Sequence, residues 1–221
     1  VSNDLATSVN TTLTILPGVK LLVSDGIKLL IGGDLVAVGT ADLPILFTAE
    51  NNYWEGFKLE GNSDFAYCIM EKIGAGGTNS YVLMNNDETS MTSFQRSIVR
   101  DSNAMFLFTG RGTSENGFYY NNFTNNVRFQ LINAPGSINE FDFRYNNIIN
   151  NGSLGTVDGL VYRLPGSYNE SGSYFNDGTD FTFNNIFSNP LDGIIDIGET
   201  NRSIAVSHYN NYTHVVAENY Y

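Results

Sequence analysis

The sequence predicts an all-β chain folded as a right-handed parallel β-helix, a solenoid in which each coil adds one strand to each wall. Two observations predict this fold. The composition favours strands and tight turns. A short motif also recurs at intervals of about 25 residues, without the 3.6-residue apolar periodicity that helical repeats need.

The composition describes one globular domain made of many short strands. The chain has 221 residues, of which 42% are hydrophobic and 15% are charged. It contains 29 Asn and 22 Gly, which favour turns, and 13 Tyr and 15 Phe, which favour strands. This length is enough for a single core. We expect a single β-helix domain over residues 1–221, as a fragment or module of a larger surface protein.

Charge and hydropathy exclude several classes of partner. Asp and Glu number 23 against 11 Lys and Arg, so the net charge is -12. A chain this acidic repels nucleic acid and anionic lipid. No apolar run reaches the length of a transmembrane helix, about 18 residues, and the single cysteine, Cys68, permits no internal disulfide.

The repeated motif is an aromatic residue, two Asn and an apolar residue. It occupies residues 118–126, 143–151, 181–189 and 206–214. Its apolar positions are Phe123, Ile148, Ile186 and Tyr212. Steps of 25 residues back from Phe123 reach Ile98, Ile73, Thr48 and Val23. The sequence therefore predicts about eight coils, with one longer loop insertion at about 152–180.

Four early segments carry a family resemblance. They are residues 13–19 (LTILPGV), 33–40 (GDLVAVGT), 44–48 (PILFT) and 53–56 (YWEG). They resemble the opening coils of pectate-lyase-like right-handed β-helix proteins. The later Asn-Asn coils resemble the Asn-rich repeats of prokaryotic surface and adhesin-like proteins, notably those of methanogenic archaea. The resemblance implies the fold but leaves the function open, because lyases, hydrolases, adhesins and phage fibres share it.

The paired Asn residues predict a ladder of stacked amides. One Asn precedes each apolar residue at an equivalent position: Asn122, Asn147, Asn185 and Asn211. Amides stacked on successive coils can hydrogen-bond along the rod. The functional alternative is a polar stripe that binds sugar.

Basic residues suggest one route to catalysis. Lys72 and Arg96 lie near equivalent positions on neighbouring coils, and so, approximately, do Arg100 and Arg128. Such a basic stripe would suit a polysaccharide lyase. Ordinary pairing with carboxylates such as Glu71 is the alternative.

Other catalytic patterns are missing from the sequence. The acidic motifs of polygalacturonases are absent, and His208 and His214 have neither metal nor triad spacing. We therefore predict no catalytic residue and no required cofactor. A weaker candidate is a Ca²⁺ site at Asp177 and Asp180, where oxygen ligands cluster on a turn.

Surface modification and contact sites are also predicted. Asn-x-Ser/Thr sequons begin at several Asn, and the expected acceptors are Asn10, Asn151, Asn169 and Asn201. Within the insertion, aromatic residues can contact sugar or a partner, or cover the side of the solenoid: Tyr162, Tyr168 and Tyr174.

These features together predict a non-catalytic structural or adhesive module of a cell-surface, sheath or filament protein. Its location would be extracellular. Its partners would be further copies of itself, joined head-to-tail or laterally, or a surface polysaccharide or protein, with no nucleic acid and no transmembrane segment. The alternative is a carbohydrate-binding or lyase-type β-helix protein.

Overall fold

The chain is an all-β solenoid with parallel strands. The structure, a computed structural model, describes residues 1–2, 5–74, 81–85, 90–108, 115–133, 140–151, 160–163, 167–168, 174–175, 179–187, 193–196, 211–212 and 215–216. Within these residues there are strands, turns and bends but no helix. The prediction of an all-β parallel β-helix is confirmed.

Three parallel sheets form the walls, and each coil visits sheets A, B and C in turn. Sheet A contains β1 (Leu5–Thr7), β4 (Leu29–Ile31), β7 (Phe57–Leu59), β10 (Leu83–Asn85), β13 (Asn103–Phe108), β16 (Arg128–Asn133), β19 (Leu160–Arg163), β24 (Gly193–Asp196) and β26 (Val215–Val216). Sheet B contains β2 (Thr12–Ile15), β5 (Asp34–Val38), β8 (Ser63–Ala66), β11 (Thr92–Gln95), β14 (Glu115–Tyr119), β17 (Glu140–Arg144) and β22 (Thr179–Thr182). Sheet C contains β3 (Lys20–Val23), β6 (Ile45–Ala49), β9 (Cys68–Glu71), β12 (Ile98–Arg100), β15 (Asn122–Thr124), β18 (Asn147–Ile149), β23 (Asn185–Phe187) and β25 (Asn211–Tyr212).

The expected insertion at 152–180 is not a single loop. Strand β19 lies inside it and pairs with β16 and β24 in sheet A, and its last residues begin β22 of sheet B. Between these two strands a small antiparallel hairpin joins β20 (Ser167–Tyr168) to β21 (Tyr174–Phe175). The repeated motif marks only sheets B and C, so it could not reveal the sheet A strand of this coil.

The register along sheet C differs from the predicted 25-residue steps. Phe123 lies in one row with Val99, Met70, Phe47 and Leu21. The successive spacings in this row are 24, 29, 23 and 26 residues. The coils are therefore unequal in length. A one-residue error in register moves a side chain to the other face, so Ile98 pairs with Asn122 and is only half-buried.

Aromatic rings fill the space between the sheets. The largest fully buried side chains are Trp54, Phe47, Phe57, Phe65, Phe94, Phe106, Phe118, Phe123 and Phe129. Along sheet B, the rings of Phe94 and Phe118 stack with centroids 5.2 Å apart, and those of Phe118 and Phe143 with centroids 6.0 Å apart. Each buried aromatic removes roughly 150–250 Å² from water, so this row dominates the packing energy.

Two corners of the coil use the left-handed backbone region. At the corner between sheets B and C, the residues with φ between 49° and 59° are Tyr67, Arg96, Tyr120, Tyr145 and Phe183. At the corner after sheet C, the residues with φ between 50° and 57° are Lys72, Asp101, Asn125 and Asn150. This conformation is unfavourable for residues with a Cβ. Each of these residues comes directly before a buried one, so the corners need compensating interactions.

Candidate functional site

A fully buried row of amides runs along the B–C corner. Asn121, Asn146 and Asn184 are completely enclosed. The backbone N–H of Asn121 donates to Oδ1 of Asn146 at 2.9 Å, and that of Asn146 donates to Oδ1 of Asn184 at 2.9 Å. Upstream, the backbone N–H of Ser97 donates to Oδ1 of Asn121, and that of Cys68 donates to Oγ of Ser97. We call this row the inner ladder.

The side-chain nitrogens of the inner ladder bind the preceding coil. Nδ2 of Asn146 donates to the carbonyl of Phe118 at 2.9 Å and to Oδ1 of Asn184 at 3.2 Å. Nδ2 of Asn121 likewise donates to the carbonyl of Phe94. Each amide therefore satisfies buried backbone groups that the corner removes from the sheet pattern.

A second buried row follows the corner after sheet C. Ser102, Asn126 and Asn151 are buried, and the backbone N–H of Asn126 donates to Oδ1 of Asn151 at 3.0 Å. Nδ2 of Asn126 donates to the carbonyl of Val99, and that of Asn151 to the carbonyl of Phe123. Both corners are thus stabilised by the same hydrogen-bonding pattern.

The Asn residues singled out by the sequence form a third row on the outer surface. Asn122, Asn147 and Asn185 are half-buried and in register. Nδ2 of Asn147 donates to Oδ1 of Asn122 at 2.7 Å, and Nδ2 of Asn185 donates to Oδ1 of Asn147 at 2.8 Å. Asn211 pairs with Asn185 in the strand register. We call this row the outer ladder.

Sequence reasoning missed the inner ladder, although a signal for it exists. Neighbouring residues in a strand point to opposite faces, so only one Asn of each pair can point inward. The inward Asn shares parity with the apolar residue of its motif, as Asn121 does with Phe123. The outer Asn122 does not share that parity.

A stack of exposed rings covers the B–C corner. The rings of Tyr120 and Tyr145 lie 4.9 Å apart with planes 5° from parallel, and those of Tyr145 and Phe183 lie 5.0 Å apart at 8°. The guanidinium of Arg96 lies 6.0 Å from the ring centroid of Tyr67 and 5.4 Å from that of Tyr120. Phe183, expected in the core, is 42% exposed because it occupies this corner. We call these five residues the corner stack.

The predicted basic stripe does not form. Arg96 belongs to the corner stack, whereas the backbone N–H of Lys72 donates to the carbonyl of Asp101 at the other corner. Arg100 pairs with Glu71, with its terminal nitrogen 2.8 Å from the carboxylate. Arg128 is in register with Asn103, and Arg100 with Thr124. Variable coil length separates residues that a constant 25-residue step aligns.

The outer face of sheet B carries the most concentrated polar chemistry of the described residues. The hydroxyl of Tyr119 donates to Oδ2 of Asp142 at 2.7 Å, and Arg144 donates to Oδ1 at 3.0 Å. Asp180 is the register partner of Asp142 on the next coil. Nearer the first coil, a groove of about 460 Å³ is lined by Thr12, Asp34, Leu35, Val36, Asn62, Ser63, Asp64, Met91 and Ser93.

The candidate calcium and aromatic sites are only partly described. Asp177 lies outside the described residues, and Asp180 belongs to β22. In the part of the chain that the structure describes, no group of three or more His, Cys, Asp or Glu is arranged to hold a metal. Tyr162 lies in β19 of sheet A, whereas Tyr168 and Tyr174 are partners across the hairpin.

The sequons differ in accessibility. Asn10 is exposed on a turn with a φ of 60°. Asn151 is fully buried, and its Nδ2 donates to the carbonyls of Phe123 and Ile149. The folded coil therefore leaves no access for a glycan at Asn151. Asn169 and Asn201 lie outside the described residues, as do His208 and His214.

The single thiol is enclosed in the inner ladder. Cys68 is 1% exposed, and its Sγ lies 3.1 Å from the carbonyl oxygen of Ala37. Burial raises the pKa of the Cys68 thiol to about 12. It therefore stays protonated at neutral pH and is a poor nucleophile.

Comparison with known proteins assigns no relative. No protein-family model, curated protein or solved structure matches this chain. Within the described residues, no helix is long and apolar enough to cross a membrane.

Proposed function

We propose that this chain is a non-catalytic structural module of an extracellular surface, sheath or filament protein, built on a pectate-lyase-like β-helix. One observation carries the proposal. Amide rows follow two corners of the solenoid, and the inner ladder links Asn121, Asn146 and Asn184 over successive coils. Such rows rigidify a rod without presenting any reactive group.

The charges on the surface of the solenoid support the same proposal. Arg100 binds Glu71, Lys28 binds Glu55, and Arg144 binds Asp142. A lyase needs a base and a cation directed at its substrate, whereas these groups are directed at one another. The corner stack also uses its ring faces internally, which leaves mainly ring edges for solvent.

Immunogold electron microscopy on cells of the producing organism tests the proposed location and role. Antibodies against the folded chain should label the cell surface or extracellular filaments. Labelling confined to the cytoplasm would overturn the proposal. In parallel, the purified chain should release no product from a panel of acidic and neutral polysaccharides, and any turnover would also contradict it.

A second candidate function is binding of a polysaccharide along sheet B. The groove beside Asp34 and Asp64, together with the Tyr119–Asp142–Arg144 cluster, favours it. Glycan-array binding that is lost in Asp142→Asn, but kept in the variant of the exposed Asp42, Asp42→Asn, would support this candidate. Equal binding by both variants, or no binding by the unmodified chain, would exclude this site.

A further inference from the structure

The first coil leaves three parallel strand edges open. Strands β1, β2 and β3 are the end members of sheets A, B and C, so each is paired along one side only in the described structure. All three lie at the same end of the solenoid. Open edges of this kind are templates for pairing with another chain.

The apolar core is also open at this end. Leu5, Leu13 and Leu21 pack against the core but are only partly buried. Their register partners one coil further on, Leu29, Leu35 and Phe47, are at most 1% exposed. One more coil stacked on the first would complete the burial of the three leucines.

Exposed apolar side chains are concentrated near the same end. Twelve described large apolar residues are exposed, and seven of them lie within residues 1–43: Val1, Val9, Leu16, Val19, Leu22, Val38 and Leu43. Exposed apolar surface concentrated in one region marks interaction sites.

The first residue shows which strand direction this edge accepts. The amino group of Val1 donates to the carbonyl of Leu22 at 2.6 Å, and the backbone N–H of Ser24 donates to the carbonyl of Val1 at 2.9 Å. These two bonds form one rung of parallel pairing centred on Val23. The rung covers a single residue, and the remainder of β3 stays open.

We propose that the occupant of this end is the last coil of a second copy of the chain, stacked head-to-tail. A parallel occupant must supply three strands of the same direction at once. The opposite ends of the same sheets, β26, β22 and β25, provide them. Head-to-tail contacts of this kind do not close, so they generate filaments. This inference rests on the proposed function and names the partner that builds the filament.

Disulfide trapping of the full chain tests this stacking. Continuing the sheet C rows would place Asn211 of one copy one rung from Lys20 of the next, about 4.8 Å away. Oxidation of a K20C/N211C variant should give a ladder of multimers, whereas either single variant can give dimers at most. Dimers alone from the double variant would overturn the proposal. The buried Cys68 is present in every sample and does not distinguish them.

Sedimentation at increasing concentration provides the second measurement. Each copy carries a net charge of -12, so association should strengthen between 50 mM and 500 mM salt as the repulsion is screened. Leu13→Lys places a charge at the open core and should abolish association, while Met91→Lys, at an exposed site in the middle of the rod, should not. Circular dichroism checks that both variants fold.

A monomer at all concentrations and salt levels would overturn the stacking. It would leave the proposed structural role intact, because surface labelling and the absence of turnover are tested separately. Conversely, a chain that stacks but is labelled only inside cells would contradict the proposed role and keep the interface.

Discussion

The backbone N–H of Asn121 donates to the side-chain oxygen of Asn146, 25 residues later in the chain, at 2.9 Å. The same oxygen accepts a second bond, from Nδ2 of Asn121 at 3.0 Å. One amide thus joins two coils at a buried corner where the strand pattern is interrupted. Asn147, the next residue, joins the same coils on the outer surface through one side-chain bond to Asn122.

Replacing Asn146 should therefore cost far more than replacing Asn147. Asn146→Ala leaves the N–H of Asn121 and the carbonyl of Phe118 buried without partners, which should lower the free energy of unfolding by about 3 kcal/mol or more. Asn147→Ala removes half-buried side-chain bonds and should cost about 0.5–1.5 kcal/mol. Urea denaturation measures both. Equal losses would show that the inner ladder has no special role.

The corner stack gives a prediction about backbone strain. Tyr145 has a φ of 59° and contacts two neighbouring rings. Tyr145→Val loses the rings and puts a β-branched residue in the left-handed region, so we expect a loss of about 2 kcal/mol or more. Tyr145→Gly also loses the rings but relieves the strain, and it should cost less than 1 kcal/mol, roughly.

Denaturant midpoints of the two variants measure this difference. If Tyr145→Gly is destabilised as much as Tyr145→Val, ring stacking rather than backbone strain determines the stability of the corner.

The sequence predicted the fold because its period reports directly on topology. The recurring Asn-Asn pairs, such as 121–122 and 146–147, fix where successive coils return to the same corner. Their aromatic and apolar neighbours show that the return is made by strands. No knowledge of side-chain contacts is needed for either step.

The position of each side chain on that fold was harder to predict. Coil lengths vary, so stepping back 25 residues from Phe123 reaches Ile98, whereas its true neighbour is Val99. An error of one residue exchanges the inner and outer faces of a strand. The same error aligned Arg96 with Lys72, although the two lie at different corners. Sequence spacing alone does not reveal which coils are longer.

Close approach of successive coils makes a third prediction at the A–B turn. A Cβ added to Gly61 would lie 2.5 Å from the carbonyl oxygen of Gly33, a backbone atom that cannot move aside. Gly61→Ala should therefore force the coils apart and cost about 2–3 kcal/mol. Gly26→Ala is the matched control: it has a φ of 74° but open space around its Cβ, and it should cost about 1 kcal/mol. Thermal unfolding compares them, and a larger loss for Gly26→Ala would contradict the close contact.

The enclosed thiol predicts how stability changes at high pH. The pKa of Cys68 rises from 9.0 to about 12 on burial, so above pH 9 the unfolded chain loses a proton that the folded chain keeps. Stability contributed by this group is complete below pH 9 and falls as the pH rises toward 12, by up to about 1.4 kcal/mol per pH unit. Urea midpoints between pH 8 and 10.5 should therefore fall more steeply for the unmodified chain than for Cys68→Ala. Tyrosine and lysine titrations are common to both proteins and cancel in this comparison. Parallel slopes would mean that the thiol is accessible to solvent, and rapid alkylation of the native chain at pH 8 would lead to the same conclusion.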